Sequence, residues 1–362
     1  MAMRWGGKLL AAGMAVLMLF SAAAGEGQNE KTDDQRTAME NKQEEMNADE
    51  AGKHTGITEK DGWRFDEKGF LTGENPGEEY IFEDEENGEW QYASRDLAIH
   101  ITRFQETVKE KTKKIREYCV AEIWASPASP LTSIATEPKG KKNIPGYIKD
   151  TPQKLIQAHP AVFAMSDDYY GHRMYTKDKG TASWPSGIII RNGEILGTKT
   201  RKGTTRSRPC LDTLAVYADG SMKTYVSDTY TAEEYLEQGA TQVFAFGPWL
   251  ISEGKVNEKE AVEGCGYYEQ AEPLTGIGMV EPFHYIAIVL RGRPRTKYVG
   301  AHLSWLADKM MEYGCVEALN LDGGGTACMF FNGKAVIQGQ ENLRSMGGMI
   351  TFGLKETPEA GE

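Results

Sequence analysis

The stretch of the sequence best suited to chemistry is Asp322-Gly323-Gly324-Gly325-Thr326. It follows Val316-Glu317-Ala318-Leu319-Asn320-Leu321, which reads as a strand, so the strand delivers a carboxylate to its exit. Glycine loses more conformational freedom on folding than any other residue. Three in a row therefore imply a backbone that needs positive φ or a close approach. Successive amides in such a turn converge into an anion-holding concavity. The expectation is a carboxylate, Asp322, beside a cradle for a negative group formed by Gly323, Gly324, Gly325 and Thr326. The Gly-Lys-Ser/Thr ending of a nucleotide P-loop is absent. No Gly-x-Ser-x-Gly elbow prepares a serine nucleophile, and no Cys-x-x-Cys pair prepares a zinc site.

The elements that must position this turn are mostly hairpins. Asn192-Gly193, Asp219-Gly220, Glu253-Gly254 and Asn332-Gly333 each separate two apolar runs, and such dipeptides tolerate the positive φ of tight hairpin turns. Leu97 to Ile101 and Cys119 to Trp124 read as further strands, with the basic segment Lys109 to Arg116 as an exposed connection. Thr151-Pro152 opens a short helix that ends before His159-Pro160. Thr231-x-x-Glu234 is a capping box whose helix closes at Gly239. A further helix over Leu303 to Tyr313 carries Leu303, Leu306, Ala307, Met310 and Met311 on one core-facing stripe and stops at Gly314. The fold class expected is α+β or mixed α/β, with largely antiparallel sheets, a few helices and a single catalytic domain.

Composition bounds the function. The 362 residues carry 41 basic and 53 acidic side chains, a net charge of −12, which argues against a nucleic-acid partner. Arg4 and Lys8 precede an apolar run ending in Ser21-Ala22-Ala23-Ala24, so residues 1–24 read as a secretory signal peptide and the protein as secreted or cell-surface. No other run is long and apolar enough to span a bilayer. Residues 25–55 read as a disordered acidic linker, since Gly25 to Gly52 contains no Leu, Ile, Val, Phe, Tyr or Trp. Residues 56–94 read as a small β-hairpin lead-in and residues 95–356 as the main domain. The five cysteines show no disulfide framework and read as buried thiols.

Ala318-Leu319-Asn320-Leu321-Asp322-Gly323-Gly324-Gly325-Thr326 resembles the signature of the phosphodiester glycosidase family. Further matches occur in the same order. Asp212 to Gly220 and Phe246-Gly247-Pro248-Trp249-Leu250-Ile251-Ser252-Glu253-Gly254-Lys255 are similar to two hairpins of that family. Gly292-Arg293 and Arg344 match two of its arginine positions. The resemblance covers roughly Tyr118 to Gly353. There are departures. Ser166-Asp167-Asp168-Tyr169-Tyr170 stands where the family carries Asn-Gly-Gly-Phe-Phe, Leu274 stands where it carries Arg, and Arg291 where it carries Asp.

The resemblance implies a secreted hydrolase cleaving the sugar C1–O bond of a glycan or glycopolymer phosphodiester, with a cell-surface glycan as partner. The reaction needs a carboxylate as base or nucleophile and cations for the departing phosphate. Asp322, Asp168 and Asp167 are the candidate catalytic carboxylates. Arg293 and Arg344 are the candidate anion partners, and Ser166, Tyr169, Tyr170 and His172 complete the candidate substrate site. No cofactor is expected. A calcium ion held by Asp167, Asp168 and Asp322 is the one metal the residue types would suit. Loss of a guanidinium at Leu274 leaves an alternative, a catalytically weakened protein that binds surface polysaccharide.

Overall fold

Alternating apolar residues and glycine-closed turns fold this chain into antiparallel ladders. The computed structural model describes residues 57–109, 112–136, 138–141, 144–147, 150–168, 187–198, 210–258, 271–293 and 296–355. All belong to the unit Gly56–Glu362, distinct from Met1–Thr55. In chain order the first strands are β1 (Ile57–Lys60), β2 (Trp63–Asp66), β3 (Tyr80–Asp84), β4 (Glu89–Ala93), β5 (Leu97–Lys109) and β6 (Lys114–Ala125). Then come β7 (Thr132–Ala135), β8 (Pro138–Lys141), β9 (Ile144–Tyr147), α1 (Pro152–Ala158) and β10 (Ala161–Ser166). The middle holds β11 (Ile188–Arg191), β12 (Glu194–Thr198), β13 (Asp212–Tyr217), β14 (Met222–Tyr225), α2 (Ala232–Glu237), β15 (Ala240–Phe246), β16 (Trp249–Ser252) and β17 (Lys255–Val256). The chain continues with β18 (Leu274–Glu281), β19 (His284–Arg291), α3 (Leu303–Glu312), β20 (Glu317–Leu321), β21 (Cys328–Phe331), β22 (Lys334–Gln338) and β23 (Gly348–Leu354).

Three sheets carry the fold. A nine-stranded sheet runs β17-β16-β20-β18-β19-β6-β5-β4-β3, and two five-stranded sheets run β22-β21-β10-β23-β7 and β12-β11-β15-β13-β14. Pairs β1-β2 and β8-β9 stand as separate hairpins, and every named strand pair is antiparallel. Strands far outweigh helices, so the architecture is more β-rich than an α+β label conveys. The inner face of the large sheet supplies Ile99, Ile101, Ile123, Ala287 and Leu319 to a core shared with Phe163, Phe244, Phe331 and Phe352 of the two smaller sheets. Its outer face buries Val120, Ile286, Ile288 and Ala318 under α3.

Turn and cap chemistry behaves as the sequence implies. Asn192-Gly193, Glu253-Gly254 and Asn332-Gly333 all have positive φ at both positions, whereas at Asp219-Gly220 only Gly220 does. Thr151 caps α1, and Thr231 and Glu234 form the reciprocal capping box of α2. The basic connection is shorter than expected, because β5 extends to Lys109 and β6 begins at Lys114. Cys119, Cys210, Cys315 and Cys328 are buried, while Cys265 lies outside the described residues. Residues 1–24 and 25–55, read as leader and linker, lie outside them too.

One face assignment is corrected. Leu303, Leu306, Ala307 and Met310 of α3 are buried, but Met311 is 40% exposed, since one position further round the helix rotates it off the stripe. Leu306→Ala should therefore cost about 3 kcal/mol in urea unfolding, and Met311→Ala less than about 0.5 kcal/mol. Equal losses would contradict this packing.

Candidate functional site

The candidate residues gather where β10 and β20 leave their sheets. Strand β20 is held on one side by β18, with Leu321 opposite Thr275, and on the other by β16. Asn320 fixes it further. Its Nδ2 donates to the Gly247 carbonyl at 2.8 Å, while the Gly247 amide donates to the Asn320 carbonyl at 3.0 Å. That is the local purpose of the Phe246-Gly247-Pro248 bend: Gly247 has φ +80°, and a Cβ there would stand 2.9 Å from Asp212 Cβ. Asp212 in turn accepts from the amides of Ser227 (3.0 Å) and Trp249 (3.2 Å), tying the two family-like hairpins together.

Across the sheets, the Asp322 amide donates to the Asp167 carbonyl at 3.1 Å, so the two strand exits are joined by main chain. The Asp322 carboxylate is 2% exposed, and its Oδ2 accepts from Arg344 Nη2 at 3.4 Å. Arg344 is placed by its own amide, which donates to the Gly325 carbonyl at 2.8 Å. Arg293 approaches from the other side: its Nη2 lies 3.3 Å from where a Gly324 Cβ would stand, and its Nη1 donates to Glu272 Oε2 at 2.9 Å. The structure thus brings Asp322, Arg293, Arg344 and the glycines together, with both guanidinium groups part-exposed and the carboxylate buried.

The glycine turn differs from the expected cradle. The Gly324 amide is taken by the Pro273 carbonyl at 2.9 Å, and the Thr326 amide and hydroxyl both donate to the Gly323 carbonyl, at 3.2 and 2.8 Å. A Cβ on Gly323 would meet that Pro273 carbonyl at 2.4 Å, and one on Gly325 would meet Gln340 Nε2 at 2.9 Å. Only Gly324 has positive φ, +61°. The glycines let the 272–274 segment and the 340–344 loop close on the turn, and arginine side chains add positive character beside it.

Asp167 and Asp168 follow a different course. Both are buried and turn to the second five-stranded sheet, where Arg191 Nη2 donates to Asp167 Oδ2 at 3.2 Å and also to Asp168 Oδ1. The Ala245 amide donates to Asp168 Oδ2, and Arg191 Nη1 donates to the Val243 carbonyl at 2.7 Å. Gly348 leaves room for this, since a Cβ there would stand 2.7 Å from Asp167 Oδ2. Burial pushes the Asp168 carboxyl above the usual carboxylate range; Arg191 draws it back, and the Asp167 charge raises it again. Arg191 thus serves both carboxylates, and burial is the largest influence on Asp168.

Ser166 is buried with its hydroxyl 3.2 Å from Thr275 Oγ1, packing β10 on β18. Tyr169, Tyr170 and His172 lie outside the described residues. Arg191 is a site residue absent from the sequence-based candidates; the available signal is a cation closing the apolar run Ile188-Ile189-Ile190. Glu272, before Pro273, carries no such signal. The three-carboxylate calcium reading is corrected on charge grounds, because Arg191 already serves as the cation for two of the three. Among the described residues no group of three His, Cys, Asp or Glu side chains is placed to hold a metal.

Arg191→Ala would leave two buried carboxylates without their cation and should cost about 3–5 kcal/mol. Burial raises the folded pKa of Asp168 above an unfolded value of about 3.9, so the stability it contributes is present below that value and lost as pH rises through the folded pKa. Urea unfolding should therefore show a smaller deficit at pH 5 than at pH 8; a pH-independent deficit would refute the assignment.

Comparison with known proteins bears on family and fold. A family model described as phosphodiester glycosidase matches residues 159–352, which include both strand exits, Arg191, Arg293 and Arg344. The catalytic domain of zebrafish N-acetylglucosamine-1-phosphodiester alpha-N-acetylglucosaminidase, auto-inhibited by its pro-peptide, has a similar fold. Its TM-score is 0.51 at 16% identity, covering 76% of this chain and 87% of that one. A SPbeta prophage-derived uncharacterized protein of Bacillus subtilis, YomE, is 26% identical over 151 residues, 41% of this chain. The match spans only 22% of that protein's length. With more than half of its length matched by the family model, the chain belongs to the phosphodiester glycosidase family.

Proposed function

We propose that the protein is a secreted hydrolase that cleaves the sugar C1–O bond of a glycan or glycopolymer phosphodiester, and that Asp322 is its essential carboxylate. The observation that carries this reading is the pairing of a 2%-exposed Asp322 with Arg344, beside a glycine turn flanked by Arg293. Breaking the C1–O bond develops positive charge on the sugar ring and sends an electron pair to the departing phosphate oxygen. A water oxygen forms the new bond to C1, and the water proton passes to the carboxylate. Asp322 suits the first half of that charge pattern, and Arg293 and Arg344 suit the second, as guanidinium groups bind phosphate oxygens bidentately. Secretion rests on the leader-like residues 1–24. Among the described residues no helix is long and apolar enough to cross a membrane.

The Leu274 departure supports a second reading. Leu274 is buried opposite Leu290, in the cluster that α3 covers, so nothing cationic arises there beside Asp322. A site with two arginines instead of three would bind phosphate more weakly, and at the limit the protein would bind surface polysaccharide without turnover.

The decisive experiment is hydrolysis of a panel of sugar-1-phosphodiesters, read as reducing sugar released. Asp322→Asn should lower the rate by at least about a thousandfold, and Arg344→Ala by about ten- to a hundredfold, with the melting temperature of the Asn variant close to wild type. Binding across the panel without turnover would favour the second reading. Turnover surviving in Asp322→Asn would overturn the first.

A further inference from the structure

A second recess lies on the outer face of the nine-stranded sheet. At one end of that face α3 buries Val120, Ile286 and Ile288. At the other, the β1-β2 hairpin packs Trp63 and Phe65 onto Tyr80, Phe82 and Ala93. Between them stays a cleft of about 520 Å³, lined among others by Phe65, Tyr80, Gln91, His100, Glu122 and Trp124. This is within the ~300–1,000 Å³ usual for ligand clefts. Register places it away from Asp322. Trp124 pairs with His284, whereas the row containing Leu321 runs through Thr275 and Val289 to Cys119. Three strand spacings across and about six residues along give a separation of about 25 Å.

The cleft is built for a polyhydroxylated ligand. Gln91, His100 and Glu122 are register partners on β4, β5 and β6, so three planar polar side chains stand in one row, about 4.8 Å apart. Beside that row, the Trp124 ring stacks on His284 at 3.6 Å with 14° between planes, and His284 Nε2 is 2.8 Å from Glu122 Oε1. His284 fills one face of the indole. The ammonium of Lys68 lies 4.3 Å from the ring centre, at the tip of a part-exposed side chain that also reaches Glu281 Oε1 at 3.5 Å. An aromatic plane held from behind and covered by one displaceable cation is preorganised for stacking against the C–H face of a sugar. Charge does not favour an anion: Lys60 and Lys68 are matched by Asp66, Glu67 and Glu122.

We propose that this cleft is a second, non-catalytic site for a neutral glycan, separate from the Asp322 site. It does not depend on the hydrolase reading, because none of its residues approaches Asp322. Isothermal titration of the full chain with cellohexaose, N-acetylchitohexaose and mannohexaose tests it. At least one oligosaccharide should bind. Trp124→Ala should weaken that binding about tenfold or more, and His100→Ala and Gln91→Ala by about threefold each. His100 is exposed, so His100→Ala keeps the test sound should Trp124→Ala misfold. No binding by any of the three, or binding unaffected by the cleft substitutions, would overturn the proposal. Binding lost instead in Asp322→Ala would assign the oligosaccharide to the Asp322 site and overturn it equally, while leaving the hydrolase reading intact.

Discussion

The arrangement depends on a buried charge cluster in which Arg191 answers two carboxylates. Charges are costly in a protein interior unless paired and hydrogen-bonded, and removing one partner is worse than never having had the set. Here the guanidinium is on β11, the carboxylates follow β10, and an amide of β15 completes the set. Few positions of these strands satisfy all the partners at once, so the exit of β10 is pinned against the second five-stranded sheet. The Asp167 carbonyl is thereby presented to the Asp322 amide, and the exit of β20 is pinned in turn.

This explains why neighbouring acids adopt different roles. Asp167, Asp168 and Asp322 are equally buried, yet the first two face a cation as buried as themselves. Asp322 faces Arg344, whose side chain is 38% exposed. A guanidinium at the surface is open to solvent and solutes, whereas one sealed between sheets is not. Of the three candidate carboxylates, Asp322 thus has a partner reachable from the surface, while Asp167 and Asp168 brace the exit of β10.

Local structure was legible where one residue's backbone preference decides it. Asn-Gly turns, the Thr231-x-x-Glu234 box and the strand running into Asp322 all follow from short-range rules. Strand order was not legible. That β10 lies between β21 and β23, with more than 150 residues separating it from either, is set by which apolar faces meet, and a period-two pattern cannot choose its partner. The partner of Asp167 and Asp168 was hidden for the same reason, since Arg191 reaches them only once two sheets have packed. The Met311 error is milder: a stripe drawn one residue too wide reaches solvent.

The glycine turn shows why a motif does not fix its own mechanism. Read alone, three glycines imply amides aimed at an anion. In place, the Gly324 amide is engaged by Pro273, and the missing side chains of Gly323 and Gly325 admit the Pro273 carbonyl and Gln340. Positive charge at the turn therefore depends on side chains from two loops, Arg293 held by Glu272 and Arg344 held through Gly325. Paired arginines on separate segments tie the charge at the turn to residues outside the motif, Glu272 bonded to Arg293 and the 340–344 loop that carries Arg344.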